Sequence, residues 1–205
     1  MTMKKLSILF LVLSTVLISC SSDDDAPVPV PVKSEKISNL EAPQTGGQGQ
    51  PVGGVFTKFD FETGKTTTSD TAWDIAFRGT TIAVNGGVVT GTADEPARNG
   101  NVGAAIVTGT FAGVTNAKDV TFGQDANGAF AIPTGSDNGW YNYAGPPTHI
   151  ISPIPGKILV FRTRNGNYAK VEILSYYKDE DTSKDSKHYT FNYVYNPNKG
   201  ETSFE

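Results

Sequence analysis

Residues 187–195 alternate Tyr189, Phe191, Tyr193 and Tyr195 with His188, Thr190, Asn192 and Val194. A period of two is the mark of a β-strand, and four aromatic rings on one side require that side to be buried. Elsewhere, short alternating segments are interrupted by glycine roughly every 8 to 12 residues, with no stripe of helical period. The expected class is therefore all-β: antiparallel sheets with hairpins, and little or no helix beyond the N-terminal segment.

The clearest local unit is 157–177, where Asn165-Gly166 separates two runs of strand-forming residues. Asn-Gly favours a type I′ turn, and a two-residue loop would set Ile158 opposite Ile173, Val160 opposite Val171 and Arg162 opposite Ala169. That register gathers aliphatic side chains on one face. The other would carry Leu159, Phe161, Tyr168, Lys170 and Glu172, suited to solvent or an interface. Upstream, Trp73, Ile75 and Phe77 with Ile82 and Val84 predict two short strands around Gly79, after which Asn85-Gly86-Gly87 turns the chain. Residues 91–103 read as a long polar surface loop and 178–186 as a solvated one. Gly46-Gly47-Gln48-Gly49-Gln50 lacks a following helix or Gly-Lys-Ser/Thr, so it reads as a flexible linker, not a phosphate cradle.

The N-terminus supplies an address. Lys4 and Lys5 precede an apolar run over residues 6–18, about 13 residues long, too short to span a bilayer as a permanent helix. Leu17-Ile18-Ser19-Cys20 then places the only cysteine of the chain where a bacterial lipoprotein box has its lipidated residue. The other reading is an ordinary secretory signal with a chance cysteine; either way the domain is exported. Ser21-Ser22-Asp23-Asp24-Asp25 resembles the acidic surface-export tag of Bacteroidetes lipoproteins, and Ala26-Pro27-Val28-Pro29-Val30-Pro31-Val32 favours extended polyproline II. The organisation expected is a signal peptide over 1–19, a lipidated tether over 20–35 and a single all-β domain over 36–205, lipid-anchored in the outer membrane and facing the cell surface.

Loss of the signal peptide with Lys4 and Lys5 leaves 15 basic against 21 acidic residues, a formal charge near −6. A nucleic-acid surface would need a basic patch, so none is expected. Cys20 is consumed by the anchor and both methionines leave with the signal, so any ligand to a metal must be nitrogen or oxygen. No free thiol is available for nucleophilic chemistry, and no motif sets a serine beside either histidine. The acidic pairs at Asp23–Asp25 and Asp179–Asp181 sit in wet, charged segments, where raised pKa values are not expected. The chain is expected not to be an enzyme.

Several segments together resemble a known family. Trp73-Asp74-Ile75-Ala76-Phe77-Arg78 is followed by Ile82 and Asn85-Gly86-Gly87, then Gly139-Trp140-Tyr141. Gly166 with Tyr168-Ala169-Lys170, Ser175-Tyr176-Tyr177 and Tyr189-Thr190-Phe191 complete the series. In order and spacing these resemble the HmuY group of surface lipoproteins over roughly residues 53–197. The resemblance implies an all-β heme-binding protein, a hemophore, that captures heme for uptake through a TonB-dependent outer-membrane transporter.

By the same resemblance the axial ligands are a pair drawn from histidine and methionine, and the mature chain offers only His149 and His188. His149 lies in the proline-stiffened segment Pro146-Pro147-Thr148-His149, with Tyr141 and Tyr143 placed to line a pocket. His188 follows a charged loop and faces away from Tyr189 and Phe191, where an exposed histidine is as natural as a ligand. The family pattern expects one ligand near the Tyr168-Ala169-Lys170 hairpin, where this chain has Val171 and Ile173, neither able to bind iron. A bis-histidine site, a single-histidine site, a tyrosine-assisted site and a relative that binds no heme all stay open. Lys157, Arg162 and Lys170 are candidates for the propionates. The competing class is an adhesion or interaction module that takes a glycan or protein on exposed aromatics such as Trp140, Tyr141 and Tyr143. A homo-oligomer is also left open.

Overall fold

The computed structural model describes residues 28–205; Cys20, the apolar run before it and the acidic segment after it lie outside the described residues. Thirteen strands follow in order: β1 (Lys33–Glu41), β2 (Thr45–Gly47), β3 (Gln50–Gly53), β4 (Thr57–Asp60), β5 (Lys65–Thr67), β6 (Ile75–Arg78), β7 (Thr81–Val84), β8 (Gly103–Thr108), β9 (Tyr141–Tyr143), β10 (Ile151–Pro153), β11 (Lys157–Arg162), β12 (Tyr168–Tyr177) and β13 (Ser186–Asn196). The helical content of the described residues is one 3₁₀ turn, Lys178–Glu180. A five-stranded sheet runs β1-β13-β12-β11-β8 and a four-stranded sheet β5-β4-β6-β7, with every named pairing antiparallel. The protein is all-β.

The alternation of β13 explains the main core. Tyr189, Phe191, Tyr193 and Tyr195 are all buried and share one cluster with Phe59, Phe61, Ile75, Phe77, Ile82 and Val84 of the four-stranded side. Phe59 meets its neighbours edge to face, 5.5 Å from Phe191 at 83° and 5.6 Å from Phe61 at 81°. Each buried phenylalanine contributes about 2–3 kcal/mol of transfer free energy, so this inter-sheet layer dominates stability. The opposite face of the five-stranded sheet is also covered. Ile158, Val160 and Val194 pack there with Val114, Ala117 and the C-terminal Phe204.

That second layer overturns the hairpin register read from the sequence. Leu159 pairs with Val171, Val160 with Lys170, Phe161 with Ala169 and Arg162 with Tyr168. Thr163 N donates to Asn167 O at 2.8 Å and Gly166 N to Thr163 O at 3.0 Å, so the loop has three residues, with Gly166 at φ +79°. This is a type I turn followed by a left-handed residue, not a two-residue type I′ turn. The one-residue shift exchanges the faces: Leu159, Phe161, Ala169, Val171 and Ile173 enter the main core, and Ile158 and Val160 face the second layer. Neither face of β11 is left for solvent.

Three further expectations change. Residues 46–50 are not a linker but carry the turn of the β2–β3 hairpin, with Gly47 opposite Gln50. The segment before β8 does not lie passively on the surface. Arg98 Nη2 sits 2.8 Å from both Glu95 Oε2 and Asp125 Oδ2, and all three side chains are buried. Finally, β1 begins at Lys33, opposite Tyr195, so the sheet takes in three residues that the sequence reading assigned to the tether.

Candidate functional site

The site residues gather on the short β9–β10 hairpin and its root. Tyr141 pairs with Pro153, Asn142 with Ser152 and Tyr143 with Ile151. Its loop closes on itself, with Ala144 N donating to Ile150 O and His149 N to Gly145 O, each at 2.8 Å. Gly145 at φ +68° and His149 at φ +54° take left-handed backbone conformations; Gly145 adopts it freely, whereas His149 is held there at some cost. A neighbouring loop braces the hairpin. Tyr143 N donates to Ser136 Oγ at 2.9 Å, and Asn142 Nδ2 to Asp137 Oδ1 at 2.9 Å.

Aromatic rings fasten the hairpin root to the sheet. Trp140 is buried 5.2 Å from the Tyr189 ring and 5.9 Å from Tyr176, and its Nε1 donates to Thr80 O at 3.0 Å. Ile151 N donates to Tyr177 Oη at 3.0 Å, so β10 docks on the last residue of β12. Burial pushes the Tyr176 and Tyr189 phenols well above the usual tyrosine range. They stay neutral, as the apolar wall of a site and not as anionic ligands.

His149 is exposed at the hairpin tip. Tyr143 Oη and His149 Nδ1 share a hydrogen bond, and the two rings lie 5.9 Å apart at 29°. Nδ1 is thereby engaged, while Nε2 carries no partner among the described residues, an arrangement that leaves one ring nitrogen for an outside ligand. Tyr143 is 42 % exposed.

His188 stands elsewhere, on β13 opposite Glu41. Its Nδ1 lies 2.9 Å from Ser186 O, a carbonyl that can only accept, so Nδ1 carries the proton. Nε2 is 3.9 Å from Glu41 Oε1. Both histidines therefore belong to the end of the five-stranded sheet where Tyr177 faces Ser186, yet no hydrogen bond or ring contact joins them. His149 could offer its free Nε2 to an outside ligand from an exposed tip beside the Tyr143 ring. His188 supplies a second nitrogen of the right tautomer, half-buried and beside a carboxylate.

The other candidates sort by burial. Trp140 and Tyr141 are buried at 1 % and 8 %, which removes them from any exposed aromatic patch and leaves Tyr143 alone. Lys170 is buried as well. Its ammonium donates to Phe111 O and, at 2.8 Å, to Val114 O, with the Phe111 ring 4.6 Å away; it is a structural cation and not a propionate partner. Arg162 reaches Asn101 O at 3.5 Å and lies over Phe122. A groove of about 900 Å³ runs between residues 28–32 and 196–205 and includes neither histidine.

The sequence reading missed two buried polar clusters. Asp74 accepts from Phe61 N at 3.0 Å and Arg164 N at 2.9 Å, and Arg164 Nη1 reaches Asp60 Oδ1 at 3.0 Å. Burial raises Asp74 to about 6, against those backbone hydrogen bonds and the Arg164 charge. Burial would raise Glu95 too, but hydrogen bonds from Thr90 and Thr92 outweigh it and hold that carboxyl at about 2. An aspartate between Trp73 and Ile75, two core residues, was the available signal for the first cluster. Nothing local marked the second.

The family pattern of the HmuY protein matches residues 55–193. A search of curated proteins finds no match. Among solved structures, the apo form of an HmuY analogue from Tannerella forsythia aligns at 15 % identity and TM-score 0.49, covering 83 % of this chain and 99 % of that one. A Bacteroides vulgatus protein, provisionally described as HmuY-like and heme-binding, aligns at 15 % identity and TM-score 0.49, covering 82 % and 93 %. A Bacteroides fragilis protein, provisionally described as a lipoprotein, aligns at 13 % identity and TM-score 0.47, covering 82 % and 92 %. With a family match that runs from just before β4 to within three residues of the end of β13, the chain belongs to the HmuY family.

Proposed function

We propose that this chain is a non-enzymatic, lipid-anchored heme-binding protein of the outer-membrane surface, which takes heme on the β9–β10 hairpin for uptake through a TonB-dependent transporter. Family membership supports the class. The observation that carries the site is His149: an exposed imidazole at a braced tip, Nδ1 engaged by Tyr143 and Nε2 free. Bound heme would supply the iron and the porphyrin face. The chain would hold the iron through His149 Nε2, with Tyr143 fixing the ring orientation and the Trp140–Tyr176–Tyr189 cluster keeping the hairpin root rigid. His188, with its proton on Nδ1, is the second nitrogen candidate. An exposed ligand suits a carrier that must later give up its cargo. The alternative, a glycan- or protein-binding adhesion module, loses support from the burial of Trp140 and Tyr141.

The test is titration of hemin into the soluble mature chain, residues 21–205, followed by the Soret band. Saturable binding is expected, weakened about 10- to 100-fold by His149→Ala and less by Tyr143→Phe, while His188→Ala decides whether the second histidine takes part. Hemin association that never saturates in the unsubstituted chain would remove the heme reading and direct attention to glycan and protein ligands.

A further inference from the structure

We propose that Asn198 docks the chain's own N-terminal tether, so that the anchor leaves the fold at the end of the sheet opposite the β9–β10 hairpin and the candidate site faces away from the membrane. The inference rests on the lipid-anchored reading above. In Pro29-Val30-Pro31 both prolines lack an N–H, so Val30 holds the only backbone donor of the three. Asn198 takes both of its main-chain groups: Val30 N donates to Asn198 Oδ1 at 2.8 Å, and Asn198 Nδ2 donates to Val30 O at 2.7 Å. The side-chain amide thus acts as a one-residue β-bridge for a segment whose prolines bar an ordinary ladder.

Asn198 is itself fixed. Its N donates to Asn196 Oδ1 at 2.8 Å, its Nδ2 lies 2.9 Å from the same oxygen, and Asn196 Nδ2 donates to Ser203 O at 2.9 Å. Val32 then packs on the second core layer, and Lys33 enters the sheet opposite Tyr195 with its ammonium donating to Glu62 O. The tether is therefore tied at Val30, Val32 and Lys33, all at the Asn196 end of β13. The hairpin docks through Tyr177, whose partner is Ser186 at the other end of that strand. At about 3.3 Å per residue, β13 separates the two ends by roughly 30 Å. The stretch from Cys20 to Val30 spans at most about 35 Å when extended, so the clamped end is held within that distance of the lipidated residue, whereas the hairpin end can lie roughly 30 Å farther out.

The experiment uses the full lipidated chain in vesicles that carry a bilayer-resident quencher. The lipidated Cys20 leaves no free thiol, so Ser152→Cys on β10 and Lys199→Cys beside the clamp each give a single labelling position. Several-fold stronger quenching is expected at 199 than at 152, and adding Asn198→Ala narrows the difference. Equal quenching at both positions with Asn198 intact overturns the proposal. In parallel, hydrogen exchange at the Val30 amide is expected to speed up about three- to tenfold in Asn198→Ala. Asn198→Asp keeps the acceptor but loses the donor, and should fall between. An unchanged Val30 rate in Asn198→Ala overturns the clamp. Hemin titration of the same variants separates the two readings, because loss of heme binding would leave the quenching and exchange results standing.

Discussion

Two hairpins of this molecule point to opposite ends of the same sheet and treat their polar groups in opposite ways. In the β11–β12 turn, Arg164, Asn165 and Asn167 each tie a side-chain nitrogen back to the fold. Arg164 reaches Asp60 and Glu62, Asn165 Nδ2 donates to Glu62 Oε2 at 2.8 Å, and Asn167 Nδ2 donates to Tyr195 Oη at 2.6 Å. In the β9–β10 turn, the side chains of Tyr143 and His149 bond only to each other among the described residues. Side-chain nitrogens engaged by the protein serve the fold, whereas a ring nitrogen left unengaged is available to a ligand.

If that contrast is right, the largest effect on stability comes from the latched end. Asp74→Ala leaves two backbone N–H donors, those of Phe61 and Arg164, without their acceptor and removes a buried charge that Arg164 faces. A loss of about 3–4 kcal/mol is expected in urea unfolding. A loss under 1 kcal/mol would show that the turn is held by its own backbone and that the two hairpins do not differ.

A smaller effect appears with pH. The Asp74 carboxyl is raised from 3.8 to about 6 by burial, so between those values the folded state binds the extra proton. Its contribution to stability is fully present below pH 3.8 and is lost as pH rises through about 6. Relative to Asp74→Asn, which has no such titration, the parent chain should therefore lose on the order of 2–3 kcal/mol between pH 3.5 and 6.5. Chemical denaturation of both chains across that range is the check. A difference that stays flat with pH would mean that Asp74 ionises normally despite its burial.

The smallest effect belongs to the open hairpin. His149→Ala and Tyr143→Phe should each change the unfolding free energy by less than about 0.5 kcal/mol, measured by thermal or urea unfolding, because both side chains are exposed and brace nothing else. The same substitutions are the ones expected to weaken hemin most. A large stability loss in either would place the pair with the latched groups and sharpen the case for His188.

Much of the architecture was legible in the chain. The alternation of β13, the strands on either side of Gly79 and the core positions of Trp73, Ile75 and Phe77 follow from period and residue type alone. The hairpin at Asn165-Gly166 was legible as a turn but not as a register, because Ile158 and Val160 are as apolar as Leu159 and Phe161 and the pattern cannot choose between faces. Likewise Trp140 reads equally well as exposed or buried from its neighbours.

By itself the sequence determined the fold class, the family pattern and the presence of just two histidines, since these depend on periodicity, residue order and residue identity. Tertiary structure alone decided which face of β11 enters which layer, that Lys170 and Arg98 are buried, and that His149 is paired with Tyr143 while its second nitrogen stays free. Those outcomes depend on what a distant segment places against each residue: the 110–120 stretch and Phe204 over β11, Asp125 against Arg98, and the Ser136 loop beneath Tyr143. Burial and satisfaction of polar groups are properties of such long-range neighbours, which no local pattern encodes.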